Sequence, residues 1–242
     1  MFCFVFVLAY PGLFYLVHEG LYLIGSWILS EKTMDAALDR YDFIMPLVSL
    51  MGVLILILSL CTPAIRILTS AFEWPMWFGL SMSFSLGITI FFSIGIGVAF
   101  YYAEIIVARA WLKLRMGNKP LARQWMFGET KLIVRQGQKL PISLLLVCIL
   151  GEAFLEEVLW RGYLVSYAND VLNMPVQYAV IISSFAFGMN HLAYGLANVI
   201  SKALFGIILS LMYIVSDSLL PCILCHQTFN LMVFKIRIEW KS

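Results

Sequence analysis

The chain has 242 residues, of which 62% are hydrophobic and only 12% are charged, with a formal net charge of +2. Soluble domains are roughly half apolar and about a quarter charged, so this composition excludes an ordinary soluble protein and predicts an integral membrane protein. The five cysteines, an odd number in an apolar chain, offer no disulfide framework.

Seven apolar segments follow one another along the chain, each long enough to cross a bilayer, which needs about 17 to 25 mainly apolar residues. The third segment is long enough for one tilted helix or for two helices broken near Gly95 and Gly97, and we expect one. The predicted fold class is therefore all-α, a polytopic transmembrane helix bundle of about seven helices, or eight if that segment is broken. The segments cover residues 2–29, 43–69, 76–108, 141–168, 175–194, 198–216 and 218–235.

Lysine and arginine residues concentrate between the third and fourth segments and after the seventh. Because short loops rich in these residues stay in the cytoplasm, they predict an N-terminus outside and a C-terminus inside. The first segment has no basic region before it, so we interpret it as a retained helix rather than a cleaved signal peptide. Membrane segments flank the basic connection, which favours contact with anionic lipid headgroups, and we expect no nucleic-acid partner.

The chain shows no internal repeat and no soluble domain, which predicts a single membrane domain over residues 1–242. Residues 1–112 are mostly aliphatic and aromatic and are interpreted as scaffold helices. Residues 113–140 form the basic cytoplasmic connection, which is too short to build a core of its own. The polar residues that can carry chemistry concentrate in residues 141–235, the predicted catalytic helix core.

Two adjacent glutamates and an arginine interrupt the fourth apolar segment at Glu156, Glu157 and Arg161. An ionised side chain in hydrocarbon costs from about 3 to more than 10 kcal/mol, so such residues mark a functional site by default. Residues four apart share a helix face, so Glu157 is expected to pair with Arg161. Glu156 then lies on another face, near Glu152, and its apolar surroundings suit a general base working near neutral pH. A structural salt-bridge network would explain the glutamates without catalysis.

Two of the three histidines lie in further apolar segments, His191 in the fifth and His226 in the seventh. One such histidine is often a packing residue, but two of them, with Asn230 one turn from His226, suit a hydrolytic site. Such a site needs a base that activates water, polarising groups and donors for an oxyanion. Cys222 and Cys225 complete a C-x-x-C-H pattern with His226, but covalent haem needs an accessible loop, whereas these cysteines lie in an apolar segment.

Three motifs in this order resemble those of a known family. They are EExxxR at Glu156, Glu157 and Arg161, FxxxH at Phe187 and His191, and HxxxN at His226 and Asn230. The chain thereby resembles the CPBP intramembrane proteases, which include the type II CAAX prenyl proteases and the bacteriocin-processing enzymes also called Abi proteins. The resemblance covers residues 140–235 and does not extend to the first three segments.

The resemblance implies an intramembrane endopeptidase that cuts a membrane-associated or lipidated peptide. Glu156 would be the base that activates water, and His191 would assist it. Glu157 and Arg161 would hold the helix in register and tune the base. His226 and Asn230 would be oxyanion donors or metal ligands.

The resemblance admits two kinds of chemistry. His191, His226 and Glu156 could hold zinc or another divalent metal, because two histidines and one carboxylate with an open position are a common catalytic zinc set. In the other mechanism, which we favour, glutamate and histidine activate the water directly and no cofactor is needed.

The substrate and the biological role stay open between several alternatives. Gly195 stands one turn after His191, where some type II CAAX proteases carry an asparagine. This difference favours peptide processing or immunity in a bacterial cytoplasmic membrane over the processing of prenylated proteins. Asn198 and Lys202 begin the sixth segment, where substrate contact and ordinary solvation at a helix end explain them equally well.

Two alternatives to an enzyme fit the same sequence. A non-catalytic membrane scaffold or bacteriocin-immunity protein of the same fold would work by binding a partner. A transporter that uses the intramembrane carboxylates as a proton relay is less favoured, because the chain has no inverted repeat.

Overall fold

The predicted all-α fold class is confirmed within the described part of the chain, where every regular element is helical. Residues of the first segment that are described are helical, and so is most of 48–58. The basic connection, 113–140, lies outside the described residues, and the direction in which the helices cross the membrane stays a prediction. The computed structural model describes residues 5, 7, 9, 10, 48–55, 57, 58, 62–73, 82–111 and 142–239.

The helices with described bounds follow one another in chain order, and one of them passes directly into π-helix. They are α1 (Thr62–Ala71), α2 (Met82–Trp111), α3 (Ile142–Glu157), two π-helical stretches (Val158–Val165 and Tyr167–Val171), α4 (Val176–Met189), a 3-10 turn (Leu192–Tyr194), α5 (Leu196–Ser216) and α6 (Leu220–Glu239).

The third apolar segment forms one helix, as predicted, because α2 runs unbroken through Gly95 and Gly97. Its portion Ser85–Val107 and the whole of α5 are long and apolar enough to cross a membrane, while α4 is apolar but shorter. Large apolar side chains point outward from α2, among them Phe91 with 77% exposure. An apolar outer surface of this kind is typical of a helix that faces lipid.

Glycines set the spacing where helices of the site meet. A Cβ atom at Gly97 of α2 would lie 2.6 Å from the backbone oxygen of Cys225 in α6. A Cβ atom at Gly188 of α4 would lie 2.6 Å from the backbone oxygen of Val199 in α5. Small residues let membrane helices approach this closely, so these two glycines bring α2 and α5 against the helices that carry the histidine motifs.

The winding of the fourth segment changes directly after the glutamate pair. Residues Val158–Val165 form π-helix, and all of them are buried. They pack against α1, α4 and α5. Ser183 of α4 donates a hydrogen bond of 2.7 Å to the backbone carbonyl of Trp160, which gives that carbonyl a partner from outside its own helix. π-Helices are rare and frequently occur at functional sites.

The end of α4 corrects one prediction. The helix stops at Met189, so His191 lies in the turn before Leu192–Tyr194 rather than inside a membrane helix. Gly195 follows with φ 91° and ψ 161°, a conformation that is almost restricted to glycine because any Cβ atom would be strained there. The glycine at the position where some CAAX proteases carry asparagine is therefore required by the local backbone.

Candidate active site

The glutamate pair stands at the C-terminal end of α3. Both side chains are buried, with Glu156 2% and Glu157 0% exposed. One oxygen of Glu157, Oε1, accepts two hydrogen bonds, from Arg161 Nη1 at 3.0 Å and from His226 Nδ1 at 2.7 Å. The ion pair that the spacing predicts is thus present. The fully buried Arg161 guanidinium also lies 4.5 Å from the centroid of the Phe187 ring, which stabilises its charge.

His226 of α6 links the two glutamates. A carboxylate oxygen accepts hydrogen bonds, so the short contact with Glu157 places a proton on Nδ1 of His226. The opposite nitrogen, Nε2, lies 3.7 Å from Oε2 of Glu156, which is too long for a direct hydrogen bond. Glu157 thereby fixes the orientation of the imidazole and turns its second nitrogen toward Glu156.

Glu156 has a partner that the sequence reasoning missed. Its Oε1 accepts a hydrogen bond of 3.0 Å from the side-chain amide of Asn190, in the turn after α4. An amide directly beside His191 in an apolar segment is the signal that would have found it. With Oε1 held by Asn190, the other oxygen of Glu156 is the one that faces His226.

His191 joins the cluster through an aromatic ring rather than through a glutamate. Its Nδ1 lies 3.1 Å from the backbone oxygen of Phe187, which can only accept, so Nε2 of the neutral ring is an acceptor. The Phe187 ring is fully buried and lies 5.2 Å from the His191 ring and 5.6 Å from the His226 ring. The Phe187 ring therefore contacts both imidazoles, whereas the sequence identified this residue only as part of a motif.

The structure brings some of the predicted site residues into one cluster and leaves Asn230 without a side-chain hydrogen bond to it within the described residues. Glu156, Glu157, Arg161 and His226 form one buried cluster. Asn230 lies one helical turn beyond His226 and is partly buried, and no side-chain hydrogen bond within the described residues ties it to that cluster.

The three residues suggested as metal ligands do not form a metal-binding arrangement. Within the described ranges, no group of three His, Cys, Asp or Glu side chains is placed to hold a metal ion. His191, His226 and Glu156 thus do not fit a resident zinc. Cys222 and Cys225 are free thiols buried in α6, and the thiol of Cys222 lies 3.1 Å from the backbone oxygen of Leu209, so the C-x-x-C-H pattern belongs to helix packing.

A comparison with protein families matches residues 138–232 to the Rce1-like family, described as type II CAAX prenyl endopeptidase Rce1-like. This match supports the predicted resemblance to the CAAX proteases over these residues. The Rce1-like segment runs from the start of α3 through most of α6 and contains every motif residue named above. Comparisons with curated proteins and with solved structures give no match.

The Rce1-like match supports a membrane-embedded peptidase in general terms. It does not reach α1 and α2, which precede the matched residues. The bacteriocin-processing branch and the bacterial membrane stay predictions.

Proposed function

We propose that this protein is an intramembrane endopeptidase in which Glu156 activates a water molecule to hydrolyse a peptide bond of a lipidated, membrane-associated substrate. The supporting observation is the placement of Glu156, a buried carboxylate with one oxygen held by Asn190 and the other 3.7 Å from Nε2 of His226. The Rce1-like match favours a prenylated peptide ending in a CAAX sequence over a leader peptide.

The nucleophile is a water molecule at Glu156 and His226. A water at ~2.8 Å from both Glu156 Oε2 and His226 Nε2 fits their separation, since hydrogen bonds of this length are ordinary. Glu156 accepts a proton from this water while its oxygen forms the bond to the carbonyl carbon. The hydrogen bond from Asn190 keeps the carboxylate from turning away, which is the positioning that makes such a transfer efficient.

The tetrahedral intermediate carries its charge on the former carbonyl oxygen. The side-chain amide of Asn230 donates to this oxyanion, and the Nε2 acceptor of His191 helps to orient the attacking water. Glu156 then returns the proton to the leaving nitrogen as the carbon–nitrogen bond breaks. Water is consumed, the carboxylate is regenerated, and Glu157 with Arg161 holds His226 in one orientation throughout.

The test is cleavage of farnesylated and unlipidated CAAX peptides by protein in nanodiscs, followed by mass spectrometry. Loss of a general base lowers the rate by about a hundredfold to ten-thousandfold, and this is expected for Glu156→Gln. Glu152→Gln is the matched control, because this glutamate lies one turn earlier on α3 and, within the described residues, no hydrogen bond joins it to the cluster. Wild-type cleavage by Glu156→Gln would refute the proposal.

The same two variants separate the peptidase from the scaffold or immunity alternative. If the biological effect persists in Glu156→Gln while no peptide is cut by the wild type, a binding role is supported. If both the effect and cleavage disappear together in Glu156→Gln but not in Glu152→Gln, catalysis is supported.

A further inference from the structure

A second charged cluster connects α2 to α5, and the hydrolysis described needs none of its groups. Nζ of Lys202 lies 3.1 and 3.3 Å from the two carboxylate oxygens of Glu104. Ser201 donates a hydrogen bond of 2.7 Å to the same carboxylate. The Lys202 ammonium also lies 4.0 Å from the centroid of the Phe229 ring. Lys202 is only 8% exposed, which excludes ordinary solvation at a helix end as its explanation.

This cluster adjoins the candidate active site. The Phe229 ring lies 5.0 Å from the Phe205 ring, and Phe205 lies 5.5 Å from the His226 ring. The rings of Phe229 and Phe205 therefore lie between the ammonium group and the His226 imidazole.

Cations are scarce in this part of the chain. Arg161 and Lys202 are the only lysine or arginine residues between positions 142 and 233. Arg161 is 0% exposed and is covered by Glu157 and Phe187, so a ligand cannot reach it. The Lys202 side chain is 10% exposed and that of its partner Glu104 is 22% exposed, which leaves this pair nearer to an incoming ligand.

A peptide that is cut near its C-terminus brings a carboxylate toward Glu156 and Glu157. Like charges at close range repel strongly where water is excluded, so a cation beside the site is needed to accept this carboxylate. A buried cation in turn requires an anion at all times, because an uncompensated charge in an apolar setting is costly. Glu104 meets this requirement in the free protein.

We propose that Lys202 binds the C-terminal carboxylate of the peptide substrate, which takes over from Glu104 as its counter-ion. This inference rests on the proposed peptidase function and adds a rule for where the peptide is cut. Three extended residues span about 10 Å, so a peptide anchored by its terminal carboxylate presents a bond a fixed, small number of residues away. The ligand class is a peptide with a free terminal carboxylate close to the scissile bond.

The test measures binding rather than cleavage, so it does not depend on catalysis. The full chain in nanodiscs is titrated calorimetrically with the tripeptide valyl-isoleucyl-methionine as free acid and as C-terminal amide. Charge-assisted hydrogen bonds to the ammonium should make the acid bind about tenfold more tightly than the amide. Lys202→Gln should bring the two affinities to near equality. Ser201→Ala, which loses a hydrogen bond to Glu104 but no charge, should keep the preference.

A second variant keeps Lys202 and neutralises Glu104, the anion that competes with the substrate carboxylate. Glu104→Gln should tighten binding of the acid several-fold relative to the amide, whereas a purely structural pair would give no acid-selective change. Equal affinities of the wild type for acid and amide would overturn the inference, whatever the variants do. Selective binding of the acid by a protein that cuts no peptide would support the carboxylate site and count against the hydrolytic role.

Discussion

Among the described residues, the pairs Glu157–Arg161 and Glu104–Lys202 differ in how they are built. Glu157 and Arg161 come from neighbouring turns of one segment, lie 3.0 Å apart and are both 0% exposed. Lys202 and Glu104 come from two helices, lie 98 residues apart in sequence and are 10% and 22% exposed. The first pair is closed to ligands and holds His226 in place, whereas the second is open enough for a ligand to replace one partner.

The two pairs show two uses of charge among packed apolar helices. A fully enclosed pair costs much to desolvate and gives little net stability, but breaking it leaves an isolated charge. It therefore serves best as a fixed support. The Lys202–Glu104 pair is partly exposed. Exchanging one of its partners therefore costs less free energy, because water and an incoming carboxylate can compensate for the lost charge.

The largest effect is expected for Arg161→Met. It removes the guanidinium beside Glu157 and leaves a buried carboxylate with only the His226 imidazole bonded to it, so the protein should lose about 3–5 kcal/mol of stability. Thermal unfolding in detergent measures this loss. The double variant Glu157→Gln with Arg161→Met should recover part of it, and equal stability of the single and double variants would contradict the account.

Gly97→Ala tests whether α2 places the second pair. Its new methyl group would meet the backbone oxygen of Cys225 at 2.6 Å, so α2 must shift and stability should fall by about 1–3 kcal/mol. Glu104, farther along α2, should move with it, and the preference for a free terminal carboxylate should weaken while the Glu157–Arg161 pair is spared. Gly95→Ala is the matched control, because nothing lies within 4 Å of a Cβ atom there. Equal behaviour of the two variants would argue against this role of α2.

Asn190→Ala separates the proposed base from the pair beside it. The variant frees Oε1 of Glu156 without touching the Glu157–Arg161 pair, so kcat should fall about tenfold through loss of positioning while KM and thermal stability change little. Steady-state kinetics on a farnesylated peptide measures the split. Asn198→Ala is the control, since that amide donates to the backbone of Tyr194 instead. An unchanged kcat in Asn190→Ala would remove this residue from the mechanism.

Local patterns predicted much of the fold. The length of the third apolar segment allowed one helix or two, and the expected single helix runs through Gly95 and Gly97. The spacing of Glu157 and Arg161 predicted their ion pair, which follows from the rise and turn of a single helix and does not depend on what that helix packs against. The π-helical stretch Val158–Val165 was not foreseen, since its winding is coupled to packing with neighbouring helices, including the hydrogen bond from α4.

Sequence patterns alone predicted the membrane class, the apolar helices within the described residues except for the end of α4, the motif residues and the pair within one helix. The packing of the helices was needed to see that His226 bonds to Glu157, that Asn190 holds Glu156, and that Lys202 is buried rather than solvated. Each of these depends on how one helix or turn is rotated and placed against another. Hydropathy along a chain records which residues are apolar, but the partner of a polar side chain is set by packing between segments that are distant in sequence.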